Sequence, residues 1–370
     1  MPITSPLSVR RALPLLLLLS ALPLPALAQA GKDTIRLKDG KDQTVKIDAE
    51  EYGGVTFTPA RGAAATAPWK DVQSIQYGGA PEFAQASAAF AAGRLAEAQT
   101  QFEELAADAK LRPVLKQHAL YHLALIHLRL GRLEEAIAAH ENLLRAFPKG
   151  RYLLLAGGNL LACHLAKKDV EGAGRALERF TQDVRGAGLE GGFEAELGLL
   201  KARLLEAQKK FAEARAVYEV AEKTGASSPA VAQEARLGVG RCLLREGKGA
   251  DAEPIFRGLK DLPDAGTRVS AGAWNGIGDI VAQEGREKRD PEKLLEALYA
   301  YLRGVVQYRP APGEPTEEYE RALAGAADCF KFISQLDRNP ERKRQYADRS
   351  RERLEQLKKE FPSSPYLEGR

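Results

Sequence analysis

One short pattern recurs along most of this chain and limits its fold more than any other feature. Gly93-Arg94-Leu95-Ala96-Glu97-Ala98 is followed by Phe102 and Leu105, and Gly131-Arg132-Leu133-Glu134-Glu135-Ala136 by His140, Leu143 and Pro148. Lys210-Phe211-Ala212-Glu213-Ala214 is followed by Tyr218, and Gly249-Ala250-Asp251-Ala252 by Phe256, Leu259 and Pro263. The last three segments each follow an apolar helix with a small residue at its middle: Ala124, Ala202 and Gly240. A period of this size means helical hairpins, none of which can bury its own apolar face. Each must stack on the next, so the chain grows as a solenoid. The small residues let two helices cross closely, and the large residue of the second helix fills the groove beside them. The expected class is therefore mainly α, with about six or seven hairpins over residues 79–370.

These residues resemble the tetratricopeptide repeat (TPR) family, whose pattern is W-x2-L-G-x2-Y, then Ala, Phe, Ala and a closing Pro over about 34 residues. The fullest first helix is Trp274-Asn275-Gly276-Ile277-Gly278-Asp279-Ile280-Val281, and the fullest unit runs from Gln117 to Gly150. Further units fit around Cys163 with Ala173, around Trp274 with Ala297 and Tyr301, and around Cys329. Anchor alanines at Ala98, Ala136, Ala173, Ala214, Ala252 and Ala297 are spaced more widely than the family pattern, so the connections are longer. Glu284 to Glu292 reads as a charged insertion, and the glycines at 186, 188, 191 and 192 as a loose linker. Phe147-Pro148-Lys149-Gly150-Arg151-Tyr152 and Phe361-Pro362-Ser363-Ser364-Pro365-Tyr366 look like the repeats of exported bacterial TPR proteins, among them outer-membrane assembly lipoproteins and periplasmic factors linked to envelope constriction. Membership would imply a scaffold that holds other proteins. The lipid-attachment Cys of the first group is missing, and a β unit replaces the N-terminal coiled coil of the second, so neither specific role transfers.

Two different segments precede the array. Arg10-Arg11, the apolar stretch Ala12 to Leu22, Pro23 and Pro25, and Ala26-Leu27-Ala28 have the layout of a secretory signal cleaved before Gln29. The apolar run is shorter than the roughly 20 residues of a spanning helix, although an uncleaved anchor is the alternative. Residues 1–28 are thus read as a signal peptide, and the mature protein as periplasmic or secreted. Residues 29–78 change period. Thr34 to Lys38 and Gln43 to Asp48 alternate apolar and polar, Asp39-Gly40 and Gly53-Gly54 punctuate, and Val55 to Thr58, Trp69, Val72, Ile75 and Tyr77 complete four or five short strands. This unit resembles the small SH3-like or Sm-like barrels. Pro59 to Pro68, rich in Ala and Gly, reads as a loop between strands.

Charge excludes one class of partner. Lys and Arg total 54 against 50 acidic residues; losing Arg10 and Arg11 brings the mature chain close to neutral. A generic nucleic-acid binder would carry a strong basic excess.

Motifs for chemistry are sparse. The five histidines lie between His118 and His164. His118 and His122, four apart, share a helix face and could hold a metal, but the general-base Glu of the zinc-protease helix is absent. His127 and His164 take a first-helix position and His140 the second-helix Phe position, so interhelical packing is the simpler reading. Cys163, Cys242 and Cys329 fall in separate hairpins and read as buried small hydrophobes. The GxGxxG match beginning at Gly186 follows a helix rather than the strand that a dinucleotide site needs. Glu134-Glu135 and Glu317-Glu318 read as helix starts or solvated faces. The basic run Arg342-Lys343-Arg344 with Arg349, Arg351 and Arg353 is interleaved with acids, as in a solvated helix. No catalytic residue, metal site or cofactor is expected.

What remains is the concave groove that the TPR resemblance implies. Transferred residue by residue, its positions are His118, Tyr121, Arg129, Arg203, Arg241, Arg245, Asn275 and Asp279. Arg203 and Arg241 share one register and lean the middle of the groove basic, which suits a carboxylate or an extended peptide. Alternatively these arginines pair with Glu196, Glu206 and Glu234. The Lys/Asn clamp of some cytosolic TPRs does not map, because Tyr121 and Leu125 stand at its positions. The sequence therefore points to a non-enzymatic exported scaffold for a protein or peptide partner in the cell envelope. It gives no sign of nucleic acid, a small-molecule substrate or a span after signal cleavage. The rival readings are a metal-dependent protein centred on the histidines and a self-associating structural element.

Overall fold

The computed structural model describes residues 32–189, 193–311 and 314–368. The expected signal segment lies outside them. The described chain opens with five antiparallel strands, β1 (Asp33–Leu37), β2 (Asp42–Glu51), β3 (Gly54–Pro59), β4 (Ala65–Pro68) and β5 (Val72–Gln76). Their order is β4-β3-β2-β1-β5: a meander whose last strand returns, after a 3-10 turn at Trp69–Asp71, to pair with the first. The expected loop from Pro59 to Pro68 is only half a loop. Ala65 to Pro68 pair with Gly54 to Phe57, and Thr66 shares a hydroxyl hydrogen bond of 3.1 Å with Thr56. Alternation of β-branched and small side chains outweighed the loop-like Ala/Gly composition there.

Fourteen helices follow among the described residues, and they form seven antiparallel hairpins. These are α1 (Pro81–Ala91) with α2 (Leu95–Ala107), α3 (Pro113–Arg129) with α4 (Leu133–Ala146), and α5 (Leu153–Ala166) with α6 (Val170–Gly186). Next come α7 (Glu194–Ala207) with α8 (Phe211–Thr224), α9 (Pro229–Arg245) with α10 (Gly249–Lys260), α11 (Thr267–Lys288) with α12 (Pro291–Gln307), and α13 (Glu317–Leu336) with α14 (Pro340–Glu360). The charged stretch Glu284 to Glu292 forms no separate loop. It lengthens α11 to 22 residues and then makes the turn into α12.

The same turn closes the first six odd-numbered helices. Gly93, Gly131, Lys168, Lys209, Gly247 and Arg289 all have φ between 52° and 77°. In each case the next residue donates its backbone N–H five residues back, as Arg94 does to Ala89 and Lys210 to Leu205. This is a left-handed helix stop that satisfies the last carbonyls. The six anchor alanines are all fully buried at the crossing that follows. Phe256, also fully buried, lies between Gly240 of its own hairpin and Gly276 of the next, where added Cβ atoms would fall 2.8 and 2.5 Å from its ring. One side chain thus packs two hairpins together. Cys163, Cys242 and Cys329 are buried and unpaired.

The sheet does not stand apart. Ile35, Val45, Ile47, Val55 and Phe57 share one core with Phe83, Phe102, Leu115 and Tyr121 of the first two hairpins. At the far end, α14 carries i,i+3 ion pairs such as Arg349–Glu352 on a largely exposed surface, which suits the outer face of a terminal repeat. Beyond α14 the chain turns back. Pro362 and Ser363 lie against Gly131, and Lys168 pairs with Glu368 at 2.9 Å, so hairpin seven meets the turns of hairpins two and three.

Candidate partner-binding face

Odd-numbered helices from α5 onward pack on the next odd-numbered helix, whereas even-numbered helices pack chiefly on the odd helices flanking them. Closer spacing on one side bends a stack, so the odd helices line its inner face. The expected groove residues all lie on these helices.

The C-terminal half of this face is occupied by a ladder of opposite charges. Arg203 pairs with Glu234 at 3.3 Å, Glu234 also with Arg268, and Arg268 with Glu317 at 2.9 Å. A second run begins at Glu206, which accepts from Arg241 at 2.9 Å and from the Tyr218 hydroxyl at 2.5 Å. Arg241 continues to Glu318 at 3.0 Å, and Arg321 joins Glu318 to Asp279. Asn275 is fully buried and donates Nδ2 to both the carbonyl and the carboxylate of Glu318, at 2.7 and 2.9 Å. Asp279 also accepts from the Tyr301 hydroxyl. Burial pushes the Glu234 carboxyl up, but Arg268, Arg203 and Arg241 together outweigh it and hold it below the usual carboxylate range. Arg203, Arg241, Arg268 and Arg321 thus face Glu206, Glu234, Asp279, Glu317 and Glu318, and the ladder is close to balanced in formal charge.

Of the two readings of the arginines, the structure bears out pairing within the chain: Arg203 and Arg241 share a wall, and their guanidinium groups are engaged with Glu234, Glu206 and Glu318. Glu318 does stand at a helix start, in the first turn of α13, but it is buried rather than solvated and takes hydrogen bonds from three residues. Nothing local marks it, because Arg241 is 77 residues away. The lean toward basic charge disappears once these carboxylates are counted. Arg245, four residues after Arg241, is exposed.

In the N-terminal half the sheet covers the first of the expected positions, His118. His118 is buried, and its Nε2 lies 3.0 Å from Glu50 Oε2 and 2.6 Å from the Tyr77 hydroxyl. Its Nδ1 meets the Tyr152 hydroxyl. Tyr121 is buried and stacks on Tyr152 with ring centroids 3.9 Å apart. Glu50 is completely enclosed and also takes Arg151 Nη1 at 3.0 Å. Burial raises the Glu50 carboxyl, but His118, Arg151 and Tyr77 outweigh it and lower it overall. His118 therefore joins sheet to solenoid and does not face a groove. His122 turns its ring away, donating Nδ1 to the His118 carbonyl at 2.7 Å and stacking on Phe102. Among the described residues no three His, Cys, Asp or Glu side chains are grouped to hold a metal ion. Arg129 is half-buried over the Phe90 ring at 4.6 Å.

The inner surface left over centres on α5. Leu155 stands at the register that His118 holds in α3, counting from Leu161 and Ala124, and it is 44% exposed. Ala162 of the same helix is exposed as well.

A curved stack of helical hairpins with such an inner face defines a class of protein–protein interaction scaffold. The tetratricopeptide repeat family model matches residues 83–151 and 199–266, so the chain carries tetratricopeptide repeats. Among solved structures, it is similar to a tetratricopeptide repeat protein from Parabacteroides merdae at 17% identity, with 73% of this chain and 98% of that chain covered and a TM-score of 0.42. It is similar also to PilF of Pseudomonas aeruginosa at 15% identity, with 68% and 94% covered and a TM-score of 0.36. No curated protein matches it significantly. No helix among the described residues is long and apolar enough to cross a membrane.

Proposed function

We propose that this protein is a non-enzymatic scaffold of the bacterial cell envelope, exported by residues 1–28, which holds a protein or peptide partner on its inner face. The observation that carries the reading is the inner face that α5, α7, α9, α11 and α13 form in a tetratricopeptide repeat array. On it Arg203, Arg241, Asn275 and Asp279 are engaged within the chain, while Leu155, Ala162 and Arg245 remain open to a partner. The signal-like layout of residues 1–28 supports export. The absence of a motif for nucleophilic, acid–base or metal chemistry in the sequence supports a binding role.

Photo-crosslinking in living cells tests it. A crosslinker at Leu155 or Arg245 is expected to capture a protein partner that the same group at Val220, 60% exposed on the even helix α8, does not capture. Equal capture at both places, or none at either, would overturn the reading. Export is checked separately by fractionation and by a mature N-terminus at Gln29.

A further inference from the structure

We infer that the C-terminal segment Phe361–Glu368 is a strap that closes the solenoid on itself, and that its seam with the turns of hairpins two and three is where the array opens. The inference rests on how unequally the segment is held at its two sides. On the hairpin-seven side, Ser364 is buried, and Phe361, Tyr366 and Leu367 pack on the cluster of Tyr319, Leu323 and Leu357. Phe361 meets the Tyr319 ring edge-on at 6.0 Å. Glu320 and Ser364 are both buried there: Glu320 accepts from the Thr316 hydroxyl at 2.6 Å, and Ser364 Oγ accepts from the Tyr366 backbone N–H at 3.4 Å.

The opposite side is thin. Among the described residues it shows the Lys168–Glu368 pair, whose side chains are 72% and 56% exposed, and the contact of Pro362 and Ser363 with the turn glycine Gly131. An exposed ion pair contributes little and is screened by salt, whereas apolar packing is not. When the strap yields it therefore parts from Gly131 and Lys168 and stays with hairpin seven. Closure fixes the curvature of the inner face, and release relaxes it. The strap thereby sets how much of that face a partner can reach, whatever the partner is.

Distance measurement between paired spin labels on the full chain tests this. Labels at Glu171→Cys and Lys359→Cys sit on exposed positions either side of the seam and leave its contacts intact. Cys163, Cys242 and Cys329 do not compete, since burial pushes each thiol up to about 12. In low salt one short distance is expected. Raising salt from about 0.05 to 0.5 M should add a longer population. Lys168→Glu should make the longer population the major one, and a chain ending at Phe361 should show it alone, all with unchanged helical content by circular dichroism. A distribution that Lys168→Glu and salt leave unaltered, or one already long and broad in low salt, would overturn the strap.

Discussion

Asp33 and Arg112 lie 79 residues apart and are joined by two parallel hydrogen bonds of 2.7 and 2.9 Å, between the first strand and the entrance to the second hairpin. Asp33 is 1% exposed and also accepts the backbone N–H groups of Ile47 and Gly78. Removing such a buried carboxylate leaves four N–H donors without their partner. Asp33→Ala is expected to cost about 3 kcal/mol or more in urea unfolding. The exposed pair Arg36–Asp42 is the control, and Asp42→Ala should leave the midpoint nearly unchanged.

His140 occupies the aromatic position of hairpin two with no hydrogen-bond partner for either ring nitrogen. Phe fits the same register elsewhere, as at Phe102 and Phe256. His140→Phe is expected to stabilise the fold by about 1–3 kcal/mol, measured as a raised unfolding midpoint at neutral pH.

The same histidine sets part of the acid sensitivity. Burial lowers both His140 and His122 to about 4 from an ordinary 6.5. Between those values the unfolded chain binds protons that the folded chain refuses. Stability is therefore full above pH 6.5 and falls as pH drops toward 4, by roughly 2 kcal/mol for each histidine near pH 5. A urea-midpoint profile against pH should show this slope, and His140→Phe should flatten it by about half; an unchanged slope would count against the assignment.

Three of the six left-handed turns carry a side chain where glycine is preferred: Lys168, Lys209 and Arg289. Lys209→Gly should stabilise by about 1 kcal/mol, because the side-chain strain outweighs the added freedom of the unfolded chain. Thermal unfolding reads this directly, and a lowered midpoint would contradict it.

Gly276→Ala tests the packing between hairpins five and six. The added methyl would fall 2.5 Å from the Phe256 ring, which Gly240 confines on the other side. A loss of about 1–3 kcal/mol is expected in chemical unfolding, against little effect for Gly186→Ala, where a Cβ meets nothing within 4 Å.

The hairpins were legible because their signals are local. An anchor alanine, an aromatic four residues on and a turn residue before them all lie within one helix and its entrance. The charge ladder was not, since Arg241, Asp279 and Glu318 meet only after hairpins stack. Glu50 shows a subtler failure. Val45 and Ile47 point inward, so simple alternation sends Glu50 outward. A register shift between Ile47 and Ala49 reverses the parity and turns Glu50 into the core against His118. Nothing in the composition of that strand announces the bulge.

The sheet touches every one of the first four hairpins: Tyr77 meets Phe83, Asp33 and Glu50 hold Arg112 and His118, Glu50 holds Arg151, and Tyr52 rests on Phe193 at 4.1 Å. A repeat array ordinarily stretches and twists along its whole length, like a spring with equal coils. Here a splint runs across four of its coils. The elastic part of the molecule is thus confined to the hairpins beyond the sheet, and once the strap has parted a pull on hairpin seven is taken up there rather than shared along the array.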